Sequence, residues 1–166
     1  MSPGSRLLAV ALVATTNAFA AGTQCMPDER VVFSCPVAGA KVVSLCLAKR
    51  AAPERSSLAY RFGPLRKPEL VFPESARDSL ARFRYSHYMR PRTDRTELSF
   101  TNGAAVYTVY DHSDAKSLRG VRMTMGSTEL DLPCREPTTS RLGELSDLVP
   151  CDAESALADC RSAGAR

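Results

Sequence analysis

From Arg30 to Cys134, apolar residues recur at every second position in short runs separated by Gly, Pro or Asn. A period of two places alternate side chains on opposite faces of a strand, so this stretch reads as consecutive half-buried strands. Val31–Cys35 and Lys41–Cys46 flank Pro36–Ala40 as a hairpin. Leu58, Tyr60 and Phe62 share one face of a third strand. The Gly63–Pro68 loop leads to Glu69–Phe72, and Arg82–Tyr88 alternates again.

Two later hairpins carry a predicted register. Asn102-Gly103 favours a two-residue type I′ turn, because both turn positions need positive φ. Centred there, Phe100 opposes Ala105 and Leu98 opposes Tyr107. Gly126-Ser127 similarly sets Met123 against Leu130 and Val121 against Leu132. Each register keeps its large apolar groups on one face. About eight strands joined mostly by hairpins predict a mainly β, antiparallel meander, closing as a barrel or a two-sheet sandwich. Beyond Pro133-Cys134 the pattern changes. Thr138-Thr139-Ser140 is placed to cap a short helix through Leu142, Leu145 and Leu148, and Asp152 to cap another over Ala153–Cys160, a helical tail from about residue 138.

The first 20 residues stand apart. Arg6 precedes the apolar run Leu7–Ala14, and Ala18-Phe19-Ala20 is a small-x-small cleavage site, the layout of a secretory signal peptide. The run is too short for a membrane span, which needs about 20 apolar residues. Residues 21–166 then form a single β-rich domain, periplasmic or secreted, with no transmembrane segment. That length suits one domain, and 44% hydrophobic residues are enough for a core.

An exported chain with six cysteines implies disulfides. No CxxC spacing is present, so a zinc ribbon or redox pair is disfavoured. A first hairpin turning at Ala40-Lys41 brings Cys35 opposite Cys46. Cys134 with Cys151 then tethers the tail, and Cys25 with Cys160 joins the ends. A local Cys151–Cys160 bridge competes.

Charge narrows the partners. Without the first 20 residues the chain keeps 21 basic and 18 acidic residues, a net +3. That is well short of a nucleic-acid binder, so no nucleic acid is expected. The cations are nearly all arginine, 18 against 4 lysines, and residues 77–95 hold six Arg and two Asp. Arg82, Arg84, Arg90 and Arg92 are interleaved with Phe83, Tyr85 and Tyr88. Guanidinium beside aromatic rings suits bidentate binding of carboxylate or phosphate and stacking on ligand rings. Arg82, Arg84, Tyr88, Arg90 and Arg92 are therefore the candidate ligand site, for an acidic glycan, lipid headgroup or protein. A solvated strand face explains the same residues structurally.

The catalytic inventory is thin. His112 lies in Asp111-His112-Ser113-Asp114, read as a polar loop; His87 falls on the Phe83/Tyr85 side of its strand, read as partly buried and hydrogen-bonded. No G-x-S-x-G elbow occurs, and bridged cysteines leave no thiol nucleophile. No catalytic residue, metal or cofactor is assigned. Val106 and Tyr110 fall on the face opposite Leu98 and Phe100, as an interface or a second buried face.

Phe33-Ser34-Cys35, Val43–Cys46, Tyr60–Gly63, Glu69–Pro73 and Thr139–Leu142 together resemble a group of small exported bacterial proteins of unknown function. That resemblance covers most of the chain after the leader and brings no binding or catalytic role. Ala38–Lys41 is distantly similar to the inhibitory-loop motif of periplasmic inhibitors of c-type lysozyme, with Ala38 for its Ser and Val42 for its Tyr. That resemblance implies a shared architecture. The expectation is a non-catalytic binding or inhibitory module of the bacterial envelope, the alternative a small periplasmic hydrolase using His87 or His112.

Overall fold

A computed structural model describes residues 22–48, 50 and 55–157. The signal-peptide assignment and Cys160 lie outside the described residues. Among the described residues, ten strands form two antiparallel sheets. In sheet order, the first contains β10 (Thr139–Ser140), β1 (Arg30–Val37), β2 (Lys41–Ala48), β3 (Ser57–Gly63) and β4 (Leu70–Phe72). The second runs β5 (Arg84–Arg90), β6 (Thr93–Asn102), β7 (Ala105–Ser113), β8 (Ser117–Met125) and β9 (Thr128–Pro133). Neither sheet closes on itself, so the fold is a sandwich and not a barrel.

The sheets meet through inward-facing apolar residues of both layers, including Phe33, Val43, Leu45, Leu58 and Tyr60 from the first and Leu98, Phe100, Val109 and Val121 from the second. Phe100 is the joint. Its ring centroid lies 4.3 Å from Phe72, 4.9 Å from Tyr60, 5.0 Å from Tyr107 and 5.4 Å from Phe83.

Turn geometry decides the registers. The Gly126-Ser127 hairpin has the predicted pairs Met123↔Leu130 and Val121↔Leu132, with Gly126 at φ 57°. The preceding hairpin turns one residue later than predicted. Asn102 pairs with Ala105, Phe100 with Tyr107 and Leu98 with Val109. Only Gly103 of its two turn residues has positive φ, the II′ pattern and not I′. A two-residue register shift preserves faces, so the predicted inside and outside hold.

The first hairpin differs by an odd number. Gly39 (φ 74°) and Ala40 (φ 55°) tighten its turn, so Val37 pairs with Lys41 and Cys35 with Val43. Cys35 joins the core face with Val43 and Leu45, whereas Cys46 points to the other side. They cannot bond. Cys25 pairs with Cys46, and Cys35 with Cys134. All three predicted pairings, Cys35–Cys46, Cys134–Cys151 and Cys25–Cys160, are therefore overturned; Cys151 is itself disulfide-bonded.

The predicted helical tail is not found among the described residues, which end at 157. Thr139 and Ser140, expected as caps, pair with Ser34 and Phe33 at the free edge of β1. The leucine spacing instead serves one 3-10 turn, Leu142–Leu145, which buries Leu142 and Leu145 against the core. The chain then runs beside the edge of β5, where Tyr85 N–H donates to the Pro150 carbonyl and Asp152 N–H to that of Tyr85. Backbone pairing with two sheet edges outcompetes a short helix containing Gly143.

The N-terminal segment covers the outer face of the first sheet. There Arg61 donates to Glu29 through both terminal nitrogens, one at 2.9 Å, with both side chains largely buried. Burial alone raises the Glu29 carboxyl. The hydrogen bonds from Arg61 and Met26 N–H, with the Arg61 charge, outweigh it and leave the pKa below its usual 4.5. Because the folded value is depressed, this pair contributes fully above pH 4.5 and its contribution is lost as pH falls through the lower folded value. Urea midpoints measured from pH 6 to about pH 3 are expected to fall less steeply for Glu29→Gln than for the wild type. Parallel curves would show that the pair does not set acid stability.

Candidate functional site

Alternation carries an unexpected set of residues into the sandwich. On the inner face of the second sheet Tyr85, Leu98, Val109, Val121 and Leu132 form one cross-strand row. The next row, two residues along each strand towards the Arg90–Thr93 and Ser113–Ser117 turns, is His87, Thr96, Asp111 and Arg119. The inner face thus changes from apolar to ionisable within one strand step of about 7 Å. Ser140, Arg141 and Ser146 close the opposite wall, leaving a solvent-open cavity of about 420 Å³.

Each ionisable group on the floor has one partner and spare capacity. His87 Nε2 and Asp94 Oδ1 are 2.8 Å apart. Arg119 donates its Nε to Asp111 Oδ1 at 2.9 Å, and its two terminal nitrogens have no partner among the described residues. The Arg141 side chain is exposed and has neither an ion pair nor a hydrogen bond among them. Ser140 Oγ is shielded from solvent and unpartnered. The Tyr85 phenol, shared with this cavity, is raised above its usual pKa first by burial and then by the Asp94 charge, while a hydrogen bond with Thr96 works the other way.

The Arg-rich segment divides. Arg90 and Arg92 line a shallower concavity that shares Asp94 and Ser113 with the cavity. Arg90 lies 5.1 Å from the centre of the Tyr88 ring, and Arg92 occupies a turn position at φ 66°. Left-handed backbone suits glycine, so an arginine held there is unusual. Arg95 is engaged by Asp114 at 2.6 and 3.0 Å, which holds that carboxyl below its usual range. Arg82 and Arg84 lie elsewhere. Arg82 ends a 3-10 turn (Ser79–Arg82) and is not in the strand, and Arg84 donates to the carbonyls of Ala81 and Phe83. Six residues of strand separate Arg84 from Arg90, roughly 20 Å. The five residues do not form one surface.

The histidines face opposite sides of the second sheet. His87 is on the inner side, 37% exposed at its side chain and hydrogen-bonded, matching its predicted setting. His112 is not in a loop. β7 continues through it, and it pairs with Glu97 at 2.9 Å on the outer face beside Tyr110. Tyr110 is itself buried there, its hydroxyl donating to Asp131 above the unsubstituted Cα of Gly120. Burial and the Asp131 charge push that phenol up to about 12. Among the described residues one group has metal-ligand spacing, Cys25, Glu29 and Cys46, but its two sulfurs form a disulfide.

From the sequence, Asp94, Asp111, Arg119, Ser140 and Arg141 are assigned to no ligand site; Asp111 enters only beside His112, and Ser140 only as a helix cap. One signal was available: Asp111 and Arg119 have the parity of Val109 and Val121, an inward position for a charged group. No family model, curated protein or solved structure matches the chain.

Proposed function

We propose that the protein is an exported, non-catalytic binding module of the bacterial envelope that takes an acidic glycan at the polar end of its sandwich. The observation that carries this reading is the pairing of Arg141, free of any acid among the described residues, with the unused face of the Arg119 guanidinium across one cavity. Such forks match a carboxylate in two parallel hydrogen bonds. His87, Asp94, Thr96 and Ser140 supply the mixed donors and acceptors that sugar hydroxyls need. A glycan suits a concave, polar site better than a lipid headgroup or flat protein surface would. Arg90 and Arg92 are placed to receive the next charged unit. Described disulfides support export, and no helix among the described residues is long and apolar enough to cross a membrane.

Titration calorimetry with trigalacturonate, using neutral maltotriose as control, tests this reading. Arg119→Ala/Arg141→Ala is expected to weaken trigalacturonate binding at least about tenfold, given ~1.5–3 kcal/mol for each hydrogen bond to a charged group. Arg82→Ala/Arg84→Ala is expected to leave it unchanged. Equal affinity of wild type and the Arg119/Arg141 variant, or no binding by the wild type, defeats the proposal. The hydrogen-bonded His87–Asp94 pair, with Ser140 in the same cavity, favours a second reading as a small hydrolase. Cleavage of the probe by wild type but not by His87→Ala would establish that reading instead.

A further inference from the structure

At the other end of the sandwich the two sheets part around a cleft of about 580 Å³, floored by Tyr60 and Tyr107 and flanked by Leu70, Met123, Leu130 and Leu132. The β8–β9 hairpin forms one wall. Its inward residues Met125 and Leu130 remain 50% and 46% exposed, although their parity is that of the core residue Val121 and of Leu132, which packs against the core. β9 is also an outer strand of its sheet, paired on one side alone, and five of its six residues are exposed.

The hydrogen-bond phase of that edge follows from its turn. A two-residue loop makes Met125↔Thr128 a hydrogen-bonded pair, so bonds to β8 recur at Leu130 and Leu132. Cys134 N–H donating to the Arg119 carbonyl at 2.8 Å continues the same phase. The N–H and C=O groups of Glu129 and Asp131 consequently point away from the sheet, without a partner among the described residues. An open backbone edge thus adjoins an open apolar cleft.

We infer that β9 accepts an extended segment of a partner protein as a sixth strand, one whose residues alternate between basic and apolar. Partner residues opposite Glu129 and Asp131 project to the outer face, where Glu129 lies 3.5 Å from Arg122 and Asp131 accepts from the Tyr110 hydroxyl. The two carboxylates outnumber that one arginine and so favour lysine or arginine. The residue between them faces the same way as Leu130 and enters the cleft. A second copy of this chain paired through β9 is disfavoured, because its own Glu129 and Asp131 would meet these carboxylates. Pro133 lacks an N–H and limits the ladder to the Glu129–Asp131 stretch.

Amide exchange of the oxidised protein, followed by NMR with the end-blocked peptide Lys-Val-Lys-Val-Lys-Val-Lys, tests the inference. Saturating peptide is expected to slow exchange at Glu129 and Asp131 at least tenfold. Glu129→Pro, which removes one outward donor without breaking a bond to β8, is expected to abolish binding. Unchanged exchange in the wild type would overturn the inference. So would equal protection by Glu-Val-Glu-Val-Glu-Val-Glu, or protection without peptide that tracks dimer formation in sedimentation. Occupation of the cleft by laurate, with the edge amides still open and the peptide unbound, would overturn it in favour of a lipid ligand.

Discussion

Replacing Cys35 and Cys134 together by alanine is expected to lower stability by about 4–5 kcal/mol, the largest effect of any paired substitution considered. This bridge closes 99 residues of sequence and ties the core-facing end of β1 to the residue after β9, so it staples one sheet to the other. The chain-entropy cost removed from the unfolded state grows with the logarithm of loop length, to roughly 4.7 kcal/mol near 100 residues. Cys25–Cys46 closes only 21 residues and anchors the N-terminal segment to the outer face of β2. Its removal is expected to cost about 3 kcal/mol on the same relation. Urea unfolding without reductant provides the comparison. Equal losses for the two double variants would show that local packing, and not loop length, sets the contribution.

Phe100→Ala should destabilise the fold by ~3–5 kcal/mol, the range for truncating a buried aromatic. Phe100 is 3% exposed and touches rings contributed by β3, β4, β7 and the segment before β5. Truncation opens a cavity where the sheets meet and removes stacked partners worth about 0.5–1.5 kcal/mol each beyond area burial. Neighbouring rings come from different strands and cannot all move inward without displacing both sheets. Phe100→Leu, which retains most of the volume, is expected to cost less than half as much. A Phe100→Ala loss below about 2 kcal/mol would show that the surrounding rings collapse into the gap.

How far local pattern reaches is clear from the hairpins. Gly126-Ser127 was legible to the exact pair because a single glycine meets the positive-φ demand and the flanking hydrophobic faces agree. Asn102-Gly103 was legible to the face, since its turn shifted the register by two. At Ala38–Ala40 the non-glycine residue Ala40 also adopts positive φ, which no propensity indicates, and the shift became odd. That single turn inverted the relation between Cys35 and Cys46 and with it the disulfide pattern. The C-terminal leucines failed for another reason: their spacing satisfies a helix and a tertiary plug equally well. The open edges of β1 and β5 chose between them.

The candidate site was half visible. Of the residues chosen for ligand binding, Arg90 and Arg92 line the concavity beside the polar cavity, and His87, named only for the alternative hydrolase reading, lies in the cavity itself. Arg84, chosen by the same criterion, lies about 20 Å along the strand, with Arg82 beyond it in the preceding 3-10 turn, because extended chain carries sequence neighbours apart. Arg119 and Arg141 belong to β8 and to the segment after β10, and they meet only because the strand ladders and the β1–β10 pairing fold both onto one cavity.

By itself the sequence determined the antiparallel β class, most strand positions and, wherever the turn was read within an even number of residues, which face each side chain takes. Those properties depend on φ preferences and a two-residue period, both local. Only the tertiary structure decided which cysteines join, what the last leucines cover, and that the two ends of the sandwich differ, one ionisable and one apolar. These depend on how far each strand extends past the opposing sheet and on what closes over it. Both are distances between segments remote in the chain, which no local period encodes.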